Sequence, residues 1–354
     1  MKKQKLLIIN KHQLGTLTDV YKWCYYLRDD YDVTLLCFDS GIPKVNIDGI
    51  QVIYIDYQGS MITRGCRFIL HSLWHILRFN GKILVEYFEH CNILKYIFPY
   101  KRMILDIRTL SISPNTNQRK KVDRAIICAC KRYDVVSVIS EGIKNKIGDI
   151  GHKINILPLG ADCISTARKD YSTLNLIYVG TFNGRKLDET IKGLSLFCNK
   201  FPRLSITYDI IGSGNKKELE TYKQLVNSLH LNSIITFHGR IANYLLTPYF
   251  DKANIGVSFV PITEYYNNQP PTKTFEYALS GLYTIATATD ANRELITSDN
   301  GILIEDTPED FARALETIYE KKDVLNEANI RNSLRSFHWK NIVDNYLKRI
   351  LQQC

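Results

Sequence analysis

Short apolar runs alternate with longer amphipathic segments along the first half of the chain. Runs of three to six apolar residues predict strands at 6–9, 33–38, 52–55, 83–85, 103–105, 135–139 and 154–157. Segments with apolar residues at helical spacing predict helices at 18–28, 65–79, 118–132 and 141–150. Continuous apolar strands that alternate with helices are typical of a parallel sheet covered on both faces, so we expect an α/β domain.

The same pattern restarts after a break at Gly160-Ala161-Asp162 and a polar stretch over 165–173. Strands are predicted at 176–179, 207–211, 234–237, 256–259, 283–286 and 302–304, and a closing helix at 339–351. We therefore predict two Rossmann-like, doubly wound domains facing a cleft, with the C-terminal helix returning toward the N-terminal domain. The expected N-terminal domain is 1–165 plus helix 340–354, and the C-terminal domain is 166–339. Ligands of such sheets bind beyond the carboxyl ends of the strands.

Composition places the protein among ordinary globular chains, but its charge is uneven. The 354 residues carry a net charge of +10 and are 45% hydrophobic. Residues up to Ser165 hold 24 Lys and Arg against 15 Asp and Glu, whereas the rest hold 22 against 21. A basic half indicates an anionic partner, which could be nucleic acid, a membrane surface or a phosphorylated ligand.

The cysteines and the lengths of the apolar segments indicate the cellular compartment of the protein. Nine scattered cysteines without a CxxC module indicate reduced core thiols. The apolar run after the first lysines is too short for a signal peptide, and no run reaches the roughly 18 residues that span a bilayer. We expect a cytoplasmic protein.

Several predicted strand ends are followed by loops that could hold a phosphorylated ligand. Gly15 lies in the turn after the first strand, where free backbone N–H groups would face the ligand. Arg185 and Lys186 stand side by side before a helix, although cations at a helix N-terminus oppose its dipole unless they meet an anion. Two compact turns, Gly212-Ser213-Gly214 and Gly239-Arg240, follow the next strands. For the glycine turns the alternative interpretation is a purely structural turn. For Arg185 and Lys186 it is a pair of solvated surface cations.

The most informative stretch is 269–281, followed by the strand at 283–286. Pro270 and Pro271 favour a helix start, and Gly281 suits its end. Lys273 and Glu276 are three residues apart on one face. A carboxylate there could accept two sugar hydroxyls, and a plain Lys273–Glu276 ion pair is the alternative.

At these residues the sequence resembles a glycosyltransferase of the GT-B fold, of the retaining family 4 type (glycosyl transferases group 1). Residues 157–162 resemble the interdomain Pro-x-Gly-x-Asp motif of that family, Gly180 with 185–188 resembles its first C-domain loop, and 271–277 resembles its nucleotide-binding helix. The likeness covers most of the chain and is faint before about residue 100.

The resemblance implies roles at matching positions. Glu276 would bind the ribose hydroxyls of the nucleotide, and Arg185 would neutralise the donor diphosphate. The remaining nucleotide-binding candidates are Gly15, Gly180, Thr181, Gly212, Gly214, Gly239, Arg240 and Thr272. The candidates for chemistry at the sugar and phosphate are Arg185, Lys186, Lys273, Asn268, Asp106 and Arg108.

Two departures from the family motif concern the donor. Thr181 stands where the family often has an arginine, so Lys186 could supply the missing phosphate contact. Asn268 stands where the family has another glutamate, and either Asn268 or Glu264 could take over the contact with the sugar.

The resemblance implies transfer of a hexose or N-acetylhexosamine from a nucleoside diphosphate sugar to a saccharide hydroxyl with retention, and we favour UDP over GDP. Lysine and arginine side chains and helix N-termini would stabilise the leaving diphosphate, so no cofactor or metal is expected. The basic and aromatic residues of 61–82 and 94–102 suggest a lipid-linked saccharide acceptor in surface polysaccharide synthesis, at an anionic membrane surface. A core-facing helix with a solvated basic edge is the alternative for these segments.

Two other function classes stay open at this point. One is a different GT-B activity, such as a nucleotide-sugar epimerase or an inactive homologue, to which Asn268 and Thr181 would point. The other is a nucleic-acid-binding protein that uses the basic half. We expect no nucleic acid partner, because no helix-turn-helix, zinc finger or RNP-type motif appears.

Overall fold

A computed structural model describes residues 3–354 and divides the chain into two compact units. The first unit runs to Leu159 and includes Trp339–Cys354, and the second is Gly160–His338. The chain therefore changes unit after Leu159, six residues before the boundary that the sequence predicts. The C-terminal segment belongs to the first unit.

The first unit contains a seven-stranded parallel sheet in the order β3-β2-β1-β4-β5-β6-β7. Its strands are β1 Gln4–Ile9, β2 Tyr31–Asp39, β3 Ile50–Asp56, β4 Lys82–Glu86, β5 Ile104–Ile107, β6 Val135–Val138 and β7 Ile154–Ile156. Its helices are α1 Thr18–Leu27, α2 Met61–Arg78, α3 Asn92–Ile97, α4 Thr116–Cys130 and α5 Glu141–Ile147. Leu6–Ile9, Leu35–Cys37 and Ile83–Val85 are almost fully buried, as strands covered on both faces must be.

The second unit contains a six-stranded parallel sheet in the order β10-β9-β8-β11-β12-β13. Its strands are β8 Leu174–Thr181, β9 Ile206–Ser213, β10 Ile235–Gly239, β11 Ile255–Ser258, β12 Tyr283–Thr287 and β13 Gly301–Ile304. Its helices are α6 Leu187–Lys200, α7 Lys216–Ser228, α8 Thr247–Lys252, α9 Thr272–Leu279, α10 Asp290–Arg293, α11 Pro308–Lys321 and α12 Glu327–Ser333.

The C-terminal helix packs in the first unit. It consists of α13 Trp339–Ile342, a π-helical turn at Val343–Leu347 and α14 Lys348–Leu351. Trp339, Val343, Leu347 and Leu351 are buried, which explains why the helix leaves the unit that precedes it in the chain. The predicted fold class is confirmed: both units are Rossmann-like, and every predicted strand is present.

Two smaller expectations need correction. The sequence did not predict the short helix α3, whose six residues include the buried Leu94 and Lys95. The cysteines are all unpaired, but they are not all in the core, because Cys66 and Cys128 are exposed. Among residues 3–354, no helix is long and apolar enough to cross a membrane.

Candidate nucleotide-sugar site

The carboxyl ends of β8 and β9 meet at a pair of glycines. Gly180 and Gly212 are register partners, and a Cβ on Gly212 would collide with the backbone oxygen of Gly180. Both residues also have positive φ angles, 152° and 149°, which L side chains rarely adopt. Only glycine therefore allows the two strand ends to lie this close.

Lys273 lies directly beneath this turn. A Cβ placed on Gly180 would be 3.1 Å from its Nζ, and the Nζ is 3.6 Å from the centre of the Tyr178 ring. Within the described residues the Nζ is buried and has no hydrogen-bond partner. Burial, and next the charge of Arg185, hold the pKa of Lys273 well below its usual value. A buried ammonium without a partner is costly unless an anion reaches it.

Glu276 follows Lys273 on the same helix, but the two side chains do not form an ion pair. No contact within 4 Å joins their charged atoms in the part of the chain that the structure describes. Burial, and next the carboxylate of Asp162, raise the pKa of Glu276 to about 7, while Lys273 acts in the opposite direction. The alternative of a plain salt bridge is therefore wrong, because the ammonium of Lys273 has no hydrogen-bond partner in the described chain.

Helix α9 is held against the sheet by its buried face. The hydroxyl of Tyr277 accepts a hydrogen bond from the backbone N–H of Val179 at 2.8 Å, next to Gly180. Thr274 shares a hydrogen bond with Ser258 at 2.7 Å and donates one to Asn292 at 3.1 Å. These bonds fix the helix in register with β8 and β11, so Lys273 and Glu276 have defined positions. Thr272 is the first helical residue, and Pro271 precedes it as predicted.

Arg185 and Lys186, the predicted cations in the loop between β8 and α6, have different environments. The guanidinium of Arg185 lies 4.5 Å from the centre of the Tyr266 ring. The Nζ of Lys186 forms an ion pair with Asp306 at 3.0 Å, and Lys186 itself has a left-handed backbone with φ 52°. Arg185 thus keeps its donors for a ligand, whereas Lys186 already has a carboxylate. Thr181 is exposed at the end of β8.

The next two loops are built around the other predicted glycines. A Cβ on Gly214 would be 2.8 Å from the Phe182 Cβ, and Asn183 accepts a hydrogen bond from the backbone N–H of Asn215 at 2.9 Å. This bond ties the loop after β8 to the loop after β9. Gly239 has φ 70° and open space around it, and Arg240 beside it is exposed.

Asn268 lies in a turn-rich loop between β11 and α9, and its role stays a prediction. The neighbouring Asn267 holds this loop by accepting from the backbone N–H of Asp290 at 2.9 Å and by donating to the Asp290 carboxylate. Asn268 is half-buried and Glu264 is exposed, so both lie near solvent on this loop.

Three predicted residues belong to the first unit. Gly15 has φ 92°, and a Cβ there would be 2.8 Å from Val45 Cγ2, so close packing requires this glycine whatever it binds. Asp106 is completely buried on β5, and accepts a hydrogen bond from Ser137 at 2.5 Å. The Nε of Arg108 donates to Asp19 at 2.6 Å, and Nη1 to the backbone oxygen of Leu157 at 2.9 Å.

A buried acidic residue that the sequence reasoning missed lies beside them. Glu86 ends β4 and is the register partner of Asp106. Burial, and next the carboxylates of Asp106 and Asp19, raise its pKa to about 8, and burial raises the pKa of Asp106 to about 6. The sequence signal that could have identified it is a glutamate directly after the apolar residues 83–85 of this strand. The Asp106 carboxylate is completely buried and contacts both Ser137 and Arg108. It therefore holds these two side chains in position.

A metal centre is not evident among residues 3–354, where no group of three or more His, Cys, Asp or Glu side chains is arranged to hold an ion.

Residues 174–321 match the family model described as Glycosyl transferases group 1. The match covers β8 to α11 and so includes Gly180, Arg185, Gly212, Lys273 and Glu276. The comparison with curated proteins finds no match to the chain.

Solved structures match over nearly the whole chain at low sequence identity. Sucrose-phosphate synthase from Thermosynechococcus elongatus has a TM-score of 0.78 at 16% identity, covering 99% of each chain. Anabaena HepE in complex with UDP and glucose has a TM-score of 0.77 at 13% identity, covering 99% of this chain and 100% of that one. The lipopolysaccharide outer core galactosyltransferase WaaB has a TM-score of 0.72 at 13% identity, covering 98% and 99%. At such identities the likeness shows the fold, which is GT-B.

Proposed function

We propose that the protein is a retaining glycosyltransferase that moves a hexose or N-acetylhexosamine from a nucleoside diphosphate sugar to a saccharide hydroxyl. UDP is the favoured nucleotide and GDP the alternative. The observation that supports this best is the buried, unpartnered ammonium of Lys273 under the Gly180 turn, with the unpaired carboxylate of Glu276 on the same helix. The family match over the same residues agrees with it.

The two groups suit the two polar parts of such a donor. The diphosphate would bind the ammonium of Lys273, which faces the Tyr178 ring and has no hydrogen-bond acceptor in the described chain. The ionised carboxylate of Glu276 would accept hydrogen bonds from both ribose hydroxyls. HepE, one of the structures with this fold, is described in complex with UDP and glucose, which supports a nucleotide sugar as ligand here.

The leaving diphosphate would be stabilised by charge rather than by a metal. Lys273 and Arg185 supply two cations whose donors are not taken by a carboxylate, and preorganised charge in a dry site is worth more than in water. Lys186 would have to exchange Asp306 for phosphate, so we assign it a weaker contribution. Transfer with retention at the anomeric carbon remains part of the proposal.

We propose a lipid-linked saccharide as acceptor, used at an anionic membrane surface in surface polysaccharide synthesis. Helix α2 buries only Phe68, Ser72 and Ile76, whereas its opposite face is apolar and exposed. The exposed apolar residues are Met61, Ile62, Leu70, Trp74 and Leu77, of which Ile62 is 76% and Leu70 65% exposed. An apolar helix face with arginines beside it, such as Arg78 stacked 3.2 Å from the Trp74 ring centre, suits a lipid interface.

A thermal-shift series with UDP, GDP, ADP and their sugars tests the donor proposal. A ligand that binds only the native state stabilises it by mass action, by about 2.7 kcal/mol at 100 times Kd, and so raises the melting temperature. We expect a shift with UDP that Glu276→Gln reduces and that Glu309→Gln, a surface control, leaves unchanged. No shift with any nucleotide would refute the donor site, and binding without transfer would favour an inactive homologue.

A further inference from the structure

Both cations that we propose for the donor diphosphate are stacked on tyrosine rings. The guanidinium carbon of Arg185 lies 4.5 Å from the centre of the Tyr266 ring. The Nζ of Lys273 lies 3.6 Å from the centre of the Tyr178 ring. The face of an aromatic ring is electron-rich and attracts a cation that lies over it. Each of the two cations is thus held by an uncharged group.

An aromatic ring leaves the hydrogen-bond donors of a guanidinium free, whereas a carboxylate occupies them. A guanidinium has five N–H donors along its edges, and a stacked ring contacts only its flat face. Lys186, the next residue, shows the other arrangement, because its Nζ is paired with Asp306 at 3.0 Å. Among residues 3–354, no Asp or Glu oxygen lies within 4 Å of the Arg185 guanidinium. Arg185 is therefore oriented by Tyr266 and can still bind an anion with its edges.

The two cations are also close enough to repel each other. Burial, and next the charge of Arg185, lower the pKa of Lys273. Burial raises the pKa of Tyr178, and the charge of Arg185 partly opposes this rise. Because like charges repel, the guanidinium needs a fixed contact to stay beside the buried ammonium before an anion binds. The Tyr266 ring provides such a contact.

The loop between β11 and α9 holds Tyr266 in a defined position. The backbone N–H of Tyr266 donates to the backbone oxygen of Thr263 at 3.1 Å, and its backbone oxygen accepts from the N–H of Gln269 at 3.0 Å. The side chain of Asn267 ties the next residue to α10 by accepting from the backbone N–H of Asp290 at 2.9 Å. The ring is therefore carried by a hydrogen-bonded turn.

The ring of Tyr266, and not its hydroxyl, makes the contact with Arg185. The hydroxyl oxygen has no hydrogen bond to another group within residues 3–354. A Cβ on Gly184, the residue before Arg185, would be 3.9 Å from this oxygen, so the tyrosine lies across the loop between β8 and α6. Phenylalanine could therefore replace Tyr266 in this contact, but an aliphatic side chain could not.

We propose that Tyr266 is a positioning residue for the donor diphosphate. Its ring holds the guanidinium of Arg185 beside Lys273 with the N–H donors free, so that both cations meet the diphosphate together. The inference rests on the nucleoside diphosphate sugar proposed above and adds an uncharged residue to its site. Two observations support it, namely the ring contact of Arg185 and the absence of a carboxylate around this guanidinium in the described chain.

Binding of UDP and of uridine, which lacks the phosphates, tests the proposal with the full chain. UDP is titrated by calorimetry and uridine by ligand-observed NMR, and GDP and guanosine replace them if the thermal-shift series selects GDP. Tyr266→Leu removes the ring and Tyr266→Phe keeps it. The matched control is Tyr319→Leu on α11, whose ring lies 4.3 Å from the Nζ of Lys322, away from the proposed donor site.

The expected losses follow from the strength of a cation–ring contact. Tyr266→Leu should weaken UDP binding by about tenfold and uridine binding by less than about twofold. Tyr266→Phe and Tyr319→Leu should both stay within about twofold of the wild type for either ligand. Because the ring acts through Arg185, adding Tyr266→Leu to Arg185→Leu should weaken UDP binding by less than about twofold further.

Several outcomes would overturn the inference. Equal losses of UDP and uridine affinity in Tyr266→Leu would mean that the substitution damages the site as a whole. Additive losses in the double variant would separate Tyr266 from Arg185, and a Tyr266→Phe variant as weak as Tyr266→Leu would assign the effect to the hydroxyl. Full UDP affinity in Tyr266→Leu would remove this inference alone, whereas a wild type that binds no nucleoside diphosphate would remove the donor proposal and this inference with it.

Discussion

Replacing Lys273 by methionine should stabilise the free protein while it destroys donor binding. The ammonium of Lys273 is buried without a hydrogen-bond partner in the described chain, and its pKa lies well below the ordinary 10.5. A lowered pKa means that the charged form is disfavoured in the folded state, so the buried ammonium lowers stability when the pH is below both pKa values. Methionine fills a similar volume without charge, so the substitution removes that cost.

The sign and the pH window follow from the direction of the shift. The unfolded chain holds the Lys273 proton up to pH 10.5, whereas the folded chain releases it earlier, so stability rises with pH between the two values. The gain from Lys273→Met is therefore largest when the pH is below the pKa of the folded protein, and it shrinks as the pH approaches 10.5. Removing a buried donor that lacks an acceptor is worth about 1 kcal/mol or more, so we expect the melting temperature of the second unit to rise by at least about 2–4 °C at pH 7.

Calorimetric melting at pH 7 and pH 10, with and without UDP, measures both effects. Lys186→Met is the matched control, because Lys186 is exposed and paired with Asp306, and its loss should lower stability by less than about 1 kcal/mol. The wild type should gain stability from UDP, and Lys273→Met should gain almost none. A Lys273→Met variant that is less stable than the wild type at both pH values, or that binds UDP as well, would refute the reasoning.

Three further predictions concern the other groups. Burial raises the pKa of Glu276 to about 7, and its ionised form would bind the ribose, so UDP affinity measured by calorimetry should fall as the pH drops below 7. In Glu276→Gln this fall should shrink to the part that the phosphate of UDP itself contributes. Gly212→Ala should lower the free energy of unfolding, measured in urea, by about 3 kcal/mol or more, because the new Cβ would collide with Gly180. Gly239→Ala has open space around it and should lower that free energy by only about 1–2 kcal/mol. Equal losses for the two variants would contradict the packing argument. The pKa of Glu86 rises from 4.5 to about 8 on folding, so its ionisation lowers the stability of the protein as the pH rises from 4.5 to 8. Glu86→Gln should therefore raise the melting temperature more at pH 8.5 than at pH 5.

The lysine and arginine side chains of the basic first half fall into two groups in the structure. Some of its cations belong to folded contacts, such as Arg108 on Asp19 and Lys95 on Asp134. Others, such as Lys5 and Arg102, are exposed on the surface. Net charge alone could not separate these groups, because pairing depends on which elements come together in three dimensions.

Local sequence pattern determined the fold of both units. A strand buried on both faces must be apolar throughout, so runs such as 6–9 and 176–179 identify their strands without any neighbour. The same holds for α9, because the prolines before Thr272 and Gly281 after Leu279 mark its two ends within the sequence itself.

Tertiary structure decided what the charged residues do. Lys273 and Glu276 are three residues apart, which fits an ion pair, yet the packing of α9 on Tyr178 and Val179 buries the ammonium away from the carboxylate. Arg185 and Lys186 are neighbours in sequence, but only Lys186 meets Asp306. Hydrophobic patterning is a local property of the chain, whereas the pairing and desolvation of a charge depend on residues brought close from distant positions, and this is why the sequence could predict the elements and the candidate residues but not their partners.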